Sequence, residues 1–242
     1  MVAFLVLVVL AWQVFSAYEP PVVMPSPARV VSRFVTLWTD PIFLAFGLAS
    51  LWHVAASIVL SFVLGVAIAV LTFFFPLFDG AVYSRLAPFL NSFSTIGWAF
   101  LSLIWFGLTG SAVVFAAVVS LLPVVIINAG AGLNELNGEV LEMSGSFTRS
   151  RLRRFWLVIL PMLFPYLFAT LRLCFGIAWQ AVLVVELLCG STGIGYLISN
   201  ARQNYSTDTV FALALLVVLV VYVTDRWVFA LLQGRLRTSY GV

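Results

Sequence analysis

Long apolar runs almost free of charge constrain the fold of this sequence more than any other feature. The run from Phe43 to Phe78 contains one ionisable side chain, His53. Over the whole chain 63% of the residues are hydrophobic and 9% are charged, whereas soluble domains devote about a quarter of their residues to charge. A water-facing surface cannot be built from so few charged side chains. We therefore predict an all-α, polytopic membrane protein, and a soluble enzyme is excluded.

The predicted spans can be counted directly, because a bilayer core of about 30 Å needs about 20 apolar residues per helix. About six such runs are found: Val2–Ala17, Phe43–Phe78, Phe89–Leu108, Ala112–Asn128, Trp156–Leu188 and Thr209–Leu232. The short turn from Gly107 to Gly110 between the third and fourth spans predicts a hairpin. An even number of spans places both chain termini on the same side of the membrane.

Arginine placement predicts which side this is. With cytoplasmic termini, the inner loops and tail carry seven of the twelve Arg residues: Arg85, Arg149, Arg151, Arg153, Arg154, Arg235 and Arg237. Arg29, Arg33 and Arg202 would lie outside, so the positive-inside rule favours cytoplasmic termini. Val2–Ala17 ends in small residues, as a cleaved signal peptide does. It lacks a basic n-region, however, and a retained first helix is favoured.

Segment 26–38 is predicted to form a short amphipathic helix, with Ser26 as N-cap and Pro27 at the first helical position. Val30 and Phe34 share one side, while Arg29 and Arg33 share another. A helix lying along the outer membrane interface and a helix packed within a loop both fit this pattern.

Small side chains recur every four residues in the second predicted span, at Ala45, Ala49, Ser57, Ser61, Gly65 and Ala69. Such a ridge allows another helix to approach closely. His53 interrupts the ridge, and an interhelical hydrogen bond is favoured there over a role in a solute path.

Three further charges, Arg172, Glu186 and Asp225, lie in or beside apolar runs and are predicted to be buried charges that face protein or water. Arg172 and Glu186 are separated by about 21 Å along one helix, so the partner of each must lie on another segment. An interfacial position is expected for Asp225. Cys174 and Cys189 lie in apolar runs without CxxC spacing, which predicts neither a metal site nor a disulfide.

One hydrophilic segment, residues 134–154, stands out from the apolar sequence. Glu135, Glu139 and Glu142 precede a cluster of Arg residues, an order that complements the dipole of one or two short helices. Val140, Leu141 and Met143 add apolar contact. Docking of a soluble subunit and a solvated loop whose Arg residues set the topology both remain possible interpretations.

A set of motifs spread over residues 25–237 carries a family resemblance: Trp105-Phe106-Gly107, Asn128 with Gly132, Leu160-Pro161, Pro165, Leu171-Arg172, Gly176, Ala178-Trp179, Glu186, Gly193-Ile194-Gly195-Tyr196, Asp208 and Asp225. The sequence resembles permease subunits of bacterial ABC importers, in the nitrate, sulfonate, taurine and bicarbonate group. The resemblance implies one permease domain over residues 1–242, a type I importer fold, and import of a small anion such as a sulfonate or nitrate. The implied location is the bacterial inner membrane.

The resemblance also implies the partners. These are ATP-binding cassette subunits that carry ATP and Mg²⁺, an extracytoplasmic solute-binding protein, and a second permease copy or a paralogue, all in a lipid bilayer and without nucleic acid. The chain has no GxxxxGK[ST] motif, so neither ATP hydrolysis nor a cofactor is expected on it.

The family signature Glu-Ala-Ala, Gly, Leu-Pro is represented here by Glu142-Met143-Ser144, Thr148 and Leu160-Pro161. The resemblance implies that residues 134–154 form the coupling segment to the ATPase, through Glu139, Glu142, Met143, Ser144, Ser146, Thr148 and Arg149. Both Ala residues and the Gly of the signature are missing. The chain also has His53 where the family usually has Arg, and Ser92, Ser94 and Thr95 where Pro is common.

Candidate residues for a translocation path are Ser94, Thr95, Trp98, Trp179 and Gln180, because weak polar contacts suit a moving solute. Membrane-interface Trp and ordinary helix packing explain the same residues. The alternative function is a secondary carrier or channel without an ATPase, for which paired intramembrane acids or an inverted repeat would be expected. A membrane enzyme would need a His, Asp, Glu or Cys constellation that one His and scattered acids do not supply.

Overall fold

The computed structural model describes residues 2–20, 22–136 and 150–229, and the regular secondary structure within these ranges is helical. The principal helices are α1 (Val2–Tyr18), α2 (Pro27–Leu37), α3 (Pro41–Phe74), α4 (Pro76–Ser92), α5 (Thr95–Phe106), α6 (Gly110–Asn134), α7 (Phe155–Cys189), α8 (Ile194–Gln203) and α9 (Thr207–Val223). Helix α4 combines a 3₁₀ turn, a π turn at Val82–Leu86 and two short α segments. A short helix, Arg151–Arg154, leads into the π turn Phe155–Ile159 that opens α7, and Thr224–Phe229 forms a π turn after α9.

Four of the described helices are long and apolar enough to cross a membrane: Pro41–Phe74, Gly110–Asn134, Phe155–Cys189 and Thr207–Trp227. The bent pair of α4 and α5 supplies a fifth span when counted as one, and α1 is a shorter apolar helix of 17 residues. An all-α polytopic fold with about six apolar helices was predicted from run length, and the structure confirms it.

Helix α6 lies at the centre of the bundle and packs against α3, α5 and α7. Half of its most apolar window is buried inside the chain, compared with a third or less for the other three long spans. Ala112, Ala116 and Ala117 on this helix are fully buried. Small side chains at these positions let neighbouring helices approach α6 closely, which favours dispersion contacts within the bundle.

The predicted ridge on α3 is buried from His53 onward and faces α6 and α7. A Cβ atom at Gly65 would lie 2.7 Å from both Cβ and Cγ1 of Val125 on α6. The two helices can therefore meet here only because residue 65 has no side chain. The first residues of the ridge are not buried, since Ala45 is exposed and Ala49 is half-buried.

The third predicted span, Phe89–Leu108, is not one straight helix. Helices α4 and α5 meet at an angle of 82° on either side of Phe93 and Ser94. Ser94 adopts an extended conformation, and its Oγ accepts the Ile96 N–H at 3.3 Å, so it caps a new helix instead of continuing the old one. The Phe93 ring packs edge-on against Trp98, with ring centroids 5.0 Å apart.

The predicted hairpin between the third and fourth spans is present as α5 and α6. Gly107 ends α5 with a φ of +69°, a value that favours glycine. Thr109 then caps α6 through its side-chain oxygen. Phe115 on α6 contacts the rings of Trp105 and Phe106 on α5, with centroids 5.6 and 5.2 Å away.

The turn between α8 and α9 places Tyr205 at a left-handed φ of 56°. The Ser206 N–H donates to the Ala201 carbonyl and the Tyr205 N–H to the Arg202 carbonyl, the bond pattern of a Schellman cap whose left-handed position usually holds glycine. Tyr205 is 77% exposed, so burial of its ring contributes little stabilisation to offset the strained backbone.

We therefore expect Tyr205→Gly to stabilise the chain by about 1 kcal/mol, because glycine adopts this φ without a Cβ penalty. Thermal unfolding in detergent micelles measures the effect. Asn204→Gly is the matched control, since Asn204 has a φ of −89° and glycine relieves no strain there. A lower melting temperature for Tyr205→Gly than for wild type would contradict the prediction.

Candidate functional site

The carboxylate of Glu186 lies buried near the end of α7, and among the described residues Glu186 is the acid with so little exposure, 1%. The Ser50 hydroxyl lies 2.8 and 2.7 Å from its two carboxylate oxygens, and His53 Nδ1 lies 2.8 Å from Oε1. Ser50 and His53 are both buried, and they lie three residues apart on one face of α3. The interhelical hydrogen bond predicted for His53 is confirmed. We call Ser50, His53 and Glu186 the carboxylate cluster.

The carboxylate cluster also holds the first turn of α8. The Gly195 N–H donates to Glu186 Oε2 at 2.9 Å, and the Ile194 N–H donates to Ser50 Oγ at 2.7 Å. The first amides of a helix have no partner within it, and a negative charge at this end is favourable. Glu186 therefore joins three helices, α3, α7 and α8, through one buried group.

Three glycine residues make room for the carboxylate cluster because they have no side chains. Gly193 has a φ of +109°, and a Cβ atom there would collide with the Glu186 carboxylate. A Cβ at Gly195 would lie 2.6 Å from Glu186 Cβ, and one at Gly110 would lie 2.7 Å from His53 Nε2. The Gly-Ile-Gly motif seen in the sequence thus has a steric reason, since it lets α8 begin directly against the carboxylate.

Arg172 and Asp225 form a second charged contact. Arg172 Nε donates to Asp225 Oδ1 at 2.7 Å and Arg172 Nη2 to Oδ2 at 2.9 Å, a bidentate pair that ties α7 to the π turn after α9. The partner of Arg172 was predicted to lie on another segment, and Asp225 does. Their side chains are 38% and 46% exposed within the chain, so of the three charges expected to be buried only Glu186 is.

The five candidate path residues differ in their surroundings. Ser94 caps α5 and is exposed, Thr95 is half-buried, and Gln180 is exposed. Trp98 and Trp179 are 8% and 2% exposed and belong to the main hydrophobic core. Within the part of the chain that the structure describes, the Trp179 indole N–H has no hydrogen-bond partner. A role of these residues in a path remains a prediction.

The predicted coupling residues Glu139, Glu142, Met143, Ser144, Ser146, Thr148 and Arg149 lie outside the described residues. Ser150, the first described residue after them, lines a shallow groove of about 410 Å³ together with Arg153, Trp156 and Leu157. Trp156 and Leu157 are 60% and 65% exposed. Their apolar surface therefore lies immediately after the predicted coupling segment in sequence.

A polar pocket that the sequence did not predict opens beside α8. It lies between α2, the start of α3, the second half of α8 and the start of α9, and has a volume of about 190 Å³. Its polar lining comes from four separate parts of the chain: Arg33, Asp40, Asn200, Asn204, Ser206 and Thr209. The spacing of Arg29 and Arg33 indicated a polar helix face, but nothing in the sequence showed that Asn200 and Asn204 would lie near it.

Helices of this length and hydropathy, packed around α6, define a polytopic α-helical membrane protein. Residues 42–237 match the family described as binding-protein-dependent transport system inner membrane component, and the chain belongs to that family. It is thus a transport permease subunit, as the sequence motifs implied.

Similar proteins from several bacteria carry transport names. The chain is 25% identical to the taurine transport system permease protein of Escherichia coli K12 over 91% of this chain and 82% of that protein. It is 28% identical to the putative aliphatic sulfonates transport permease protein of Bacillus subtilis 168, over 96% and 86%. The nitrate import permease protein of Leptolyngbya laminosa is 27% identical, over 90% and 80%.

Proposed function

We propose that this chain is the membrane subunit of an ATP-driven importer for a small oxyanion, such as a sulfonate or nitrate, that a binding protein delivers. The observation that carries the proposal is the family match over residues 42–237. The similar proteins named above transport taurine, aliphatic sulfonates and nitrate, and a further one is named for bicarbonate. In ionised form all of these solutes carry negative charge on oxygen atoms.

In the proposed orientation both termini are cytoplasmic, the coupling segment 134–154 faces the cytoplasm and α8 lies at the extracytoplasmic side. Partner subunits hold ATP and Mg²⁺ and carry out the hydrolysis, and a second permease copy or paralogue completes the path. ATP-driven closure of the partners shifts the permease pair between two rigid-body arrangements.

Helix α7 supports this proposal as a mechanical connection. It begins shortly after the coupling segment, is 35 residues long and carries Glu186 near its far end. A helix of that length extends over about 50 Å. Because Glu186 is hydrogen-bonded to the first turn of α8, a tilt of α7 at the cytoplasmic side would move α8 at the opposite side.

Reconstitution into proteoliposomes tests the function. The chain, its co-purified ATPase subunits and its binding protein should import taurine, nitrate or bicarbonate only when ATP is present on the ATPase side. Uptake that needs an ion gradient and no ATP would contradict the proposal and favour a secondary carrier. Failure of any ATPase subunit to co-purify would have the same consequence.

Glu142→Arg tests the coupling segment. We expect at least about a tenfold loss of co-purified ATPase subunit and of solute-stimulated ATP hydrolysis, since reversing a charge at a docking contact costs several kcal/mol. Glu19→Arg is the matched control, because it makes the same charge change at an exposed position just after α1. Equal behaviour of the two variants would exclude the docking role of Glu142.

A further inference from the structure

The polar pocket beside α8 is lined by two oppositely charged side chains that form no ion pair with each other. Arg33 on α2 and Asp40 at the start of α3 both line it. The ion pairs within 4.0 Å among the described residues are His53–Glu186 and Arg172–Asp225, so Arg33 and Asp40 are not paired with each other. Both side chains are exposed, so water weakens their mutual attraction and leaves each charge accessible to a bound group of opposite sign.

Each of the two charged groups is held at one atom and leaves others available. Arg33 Nε donates to Thr209 Oγ1 at 3.0 Å, and among the described residues its Nη groups have no hydrogen bond. Asp40 Oδ1 accepts the Ile42 N–H at 2.9 Å and so caps α3. In the same part of the structure Asp40 Oδ2 accepts no hydrogen bond. The first contact orients the guanidinium and the second orients the carboxylate.

The remaining polar lining can serve both charges of a bound molecule. Asn204 Nδ2 donates to Asn200 Oδ1 at 2.9 Å, which leaves an amide donor on Asn200 and an amide acceptor on Asn204. The pocket volume of about 190 Å³ has room for a small group, since a water molecule takes about 30 Å³ of liquid. Leu37, Phe43 and Leu213 form the apolar part of the wall.

We propose that this pocket binds a small zwitterion that carries both an ammonium group and a phosphate or sulfonate group. Arg33 binds the oxyanion, since a guanidinium matches phosphate and sulfonate oxygens with two parallel N–H groups. Asp40 accepts from the ammonium group. Two sources supply this chemistry, the headgroup of a phosphatidylethanolamine in the surrounding leaflet and a free aminoalkane sulfonate.

The surroundings of the pocket suit a lipid headgroup. Ile42 lines the pocket, and the Trp38 ring packs against that of the lining residue Phe43 with centroids 5.8 Å apart. Ile42 and Trp38 are 61% and 52% exposed, which places apolar surface beside the charged groups. Trp at such a position is typical of the membrane interface, where acyl chains end and headgroups begin. Binding of the lipid headgroup follows from the membrane location of the chain and does not depend on the proposed import cycle, whereas binding of 2-aminoethanesulfonate, which is taurine, rests on the proposed function.

Lipid binding is measured on the full chain in nanodiscs. Native mass spectrometry should show phosphatidylethanolamine retained by the wild type when it is mixed with phosphatidylglycerol and phosphatidylcholine. Arg33→Gln and Asp40→Asn should each reduce the retained lipid by about tenfold or more, the loss expected for a charge-assisted hydrogen bond. Asn caps helices as well as Asp does, so Asp40→Asn preserves the start of α3.

The second arm uses soluble probes in nanodiscs free of phosphatidylethanolamine. O-Phosphoethanolamine and 2-aminoethanesulfonate should compete for the pocket, whereas inorganic phosphate or ethanolamine alone should bind at least about tenfold more weakly, because each lacks one of the two charges. Retained lipid without binding of the sulfonate assigns the site to the headgroup, and the reverse result assigns it to a free solute.

Arg29→Gln is the matched control, since Arg29 lies one turn from Arg33 on the same helix, is exposed and does not line the pocket. The proposal is overturned when neither lipid nor soluble zwitterion binds. It is also overturned when Arg29→Gln lowers binding as much as Arg33→Gln does, which would indicate a general surface charge effect.

Discussion

Glu186→Ala is expected to lower the free energy of unfolding by about 3–5 kcal/mol, the cost of removing one member of a buried, charged hydrogen-bond network. The substitution leaves the Ser50 hydroxyl, His53 Nδ1 and the Gly195 N–H without their acceptor in a site that is closed to water. A buried donor left without an acceptor costs more free energy than a satisfied hydrogen bond contributes. Unfolding of the purified chain in mixed micelles, followed by tryptophan fluorescence, measures the loss.

Glu186→Gln should cost less, about 1–2 kcal/mol, because an amide keeps one acceptor and the volume of the side chain. The amide nitrogen can donate to His53 Nδ1 in the other imidazole tautomer, while its oxygen accepts from the Gly195 N–H. Glu19→Ala is the control, since it removes a carboxylate from an exposed position. If Glu186→Ala and Glu19→Ala unfolded alike, the carboxylate cluster would have no stabilising role.

A double-mutant cycle separates the contacts of this network. Ser50 Oγ contacts both carboxylate oxygens and also accepts the Ile194 N–H. Ser50→Ala should therefore lose part of its cost when Glu186 has already been replaced, because the two side chains share bonds. Strictly additive losses would mean that the two residues act independently.

The long spans could be predicted from sequence because hydropathy and run length act locally along the chain. The partners of Glu186 could not, since Ser50 and His53 lie 136 and 133 residues away and meet it only after α3 and α7 pack. The sequence correctly predicted that a charge in an apolar run needs a partner on another segment. It did not show which segment supplies that partner.

The break between α4 and α5 was predictable in principle. Ser94 is the N-cap of a helix that starts at Thr95, which is a local signal of a helix start. The high hydropathy of the whole run nevertheless favoured a single continuous span. For Arg172 and Asp225 the sequence shows that both residues are charged, but it does not show that they pair. Their bidentate contact forms only when the helices pack together. The polar pocket is harder still to predict, since its lining comes from α2, the start of α3, α8 and the start of α9.

Gly193→Ala is expected to destabilise the chain by about 2–4 kcal/mol, from two separate causes. The φ of +109° at this residue is one that L side chains rarely adopt, and the added methyl group collides with the Glu186 carboxylate. Because the chain enters α8 at this point, the collision also displaces the Ile194 and Gly195 amides from the carboxylate cluster. If the proposed importer is reconstituted with its ATPase subunits, solute uptake should fall while those subunits remain bound.

The two causes are separable, because only the collision involves Glu186. In a Glu186→Ala background the methyl group meets no carboxylate, so the added cost of Gly193→Ala should fall to that of backbone strain, about 1–3 kcal/mol. Gly47→Ala is the matched control, since a Cβ there meets nothing within 4 Å and alanine favours the helix. Unfolding of Gly193→Ala at the same denaturant concentration as Gly47→Ala would show that α8 does not need a glycine to start against Glu186.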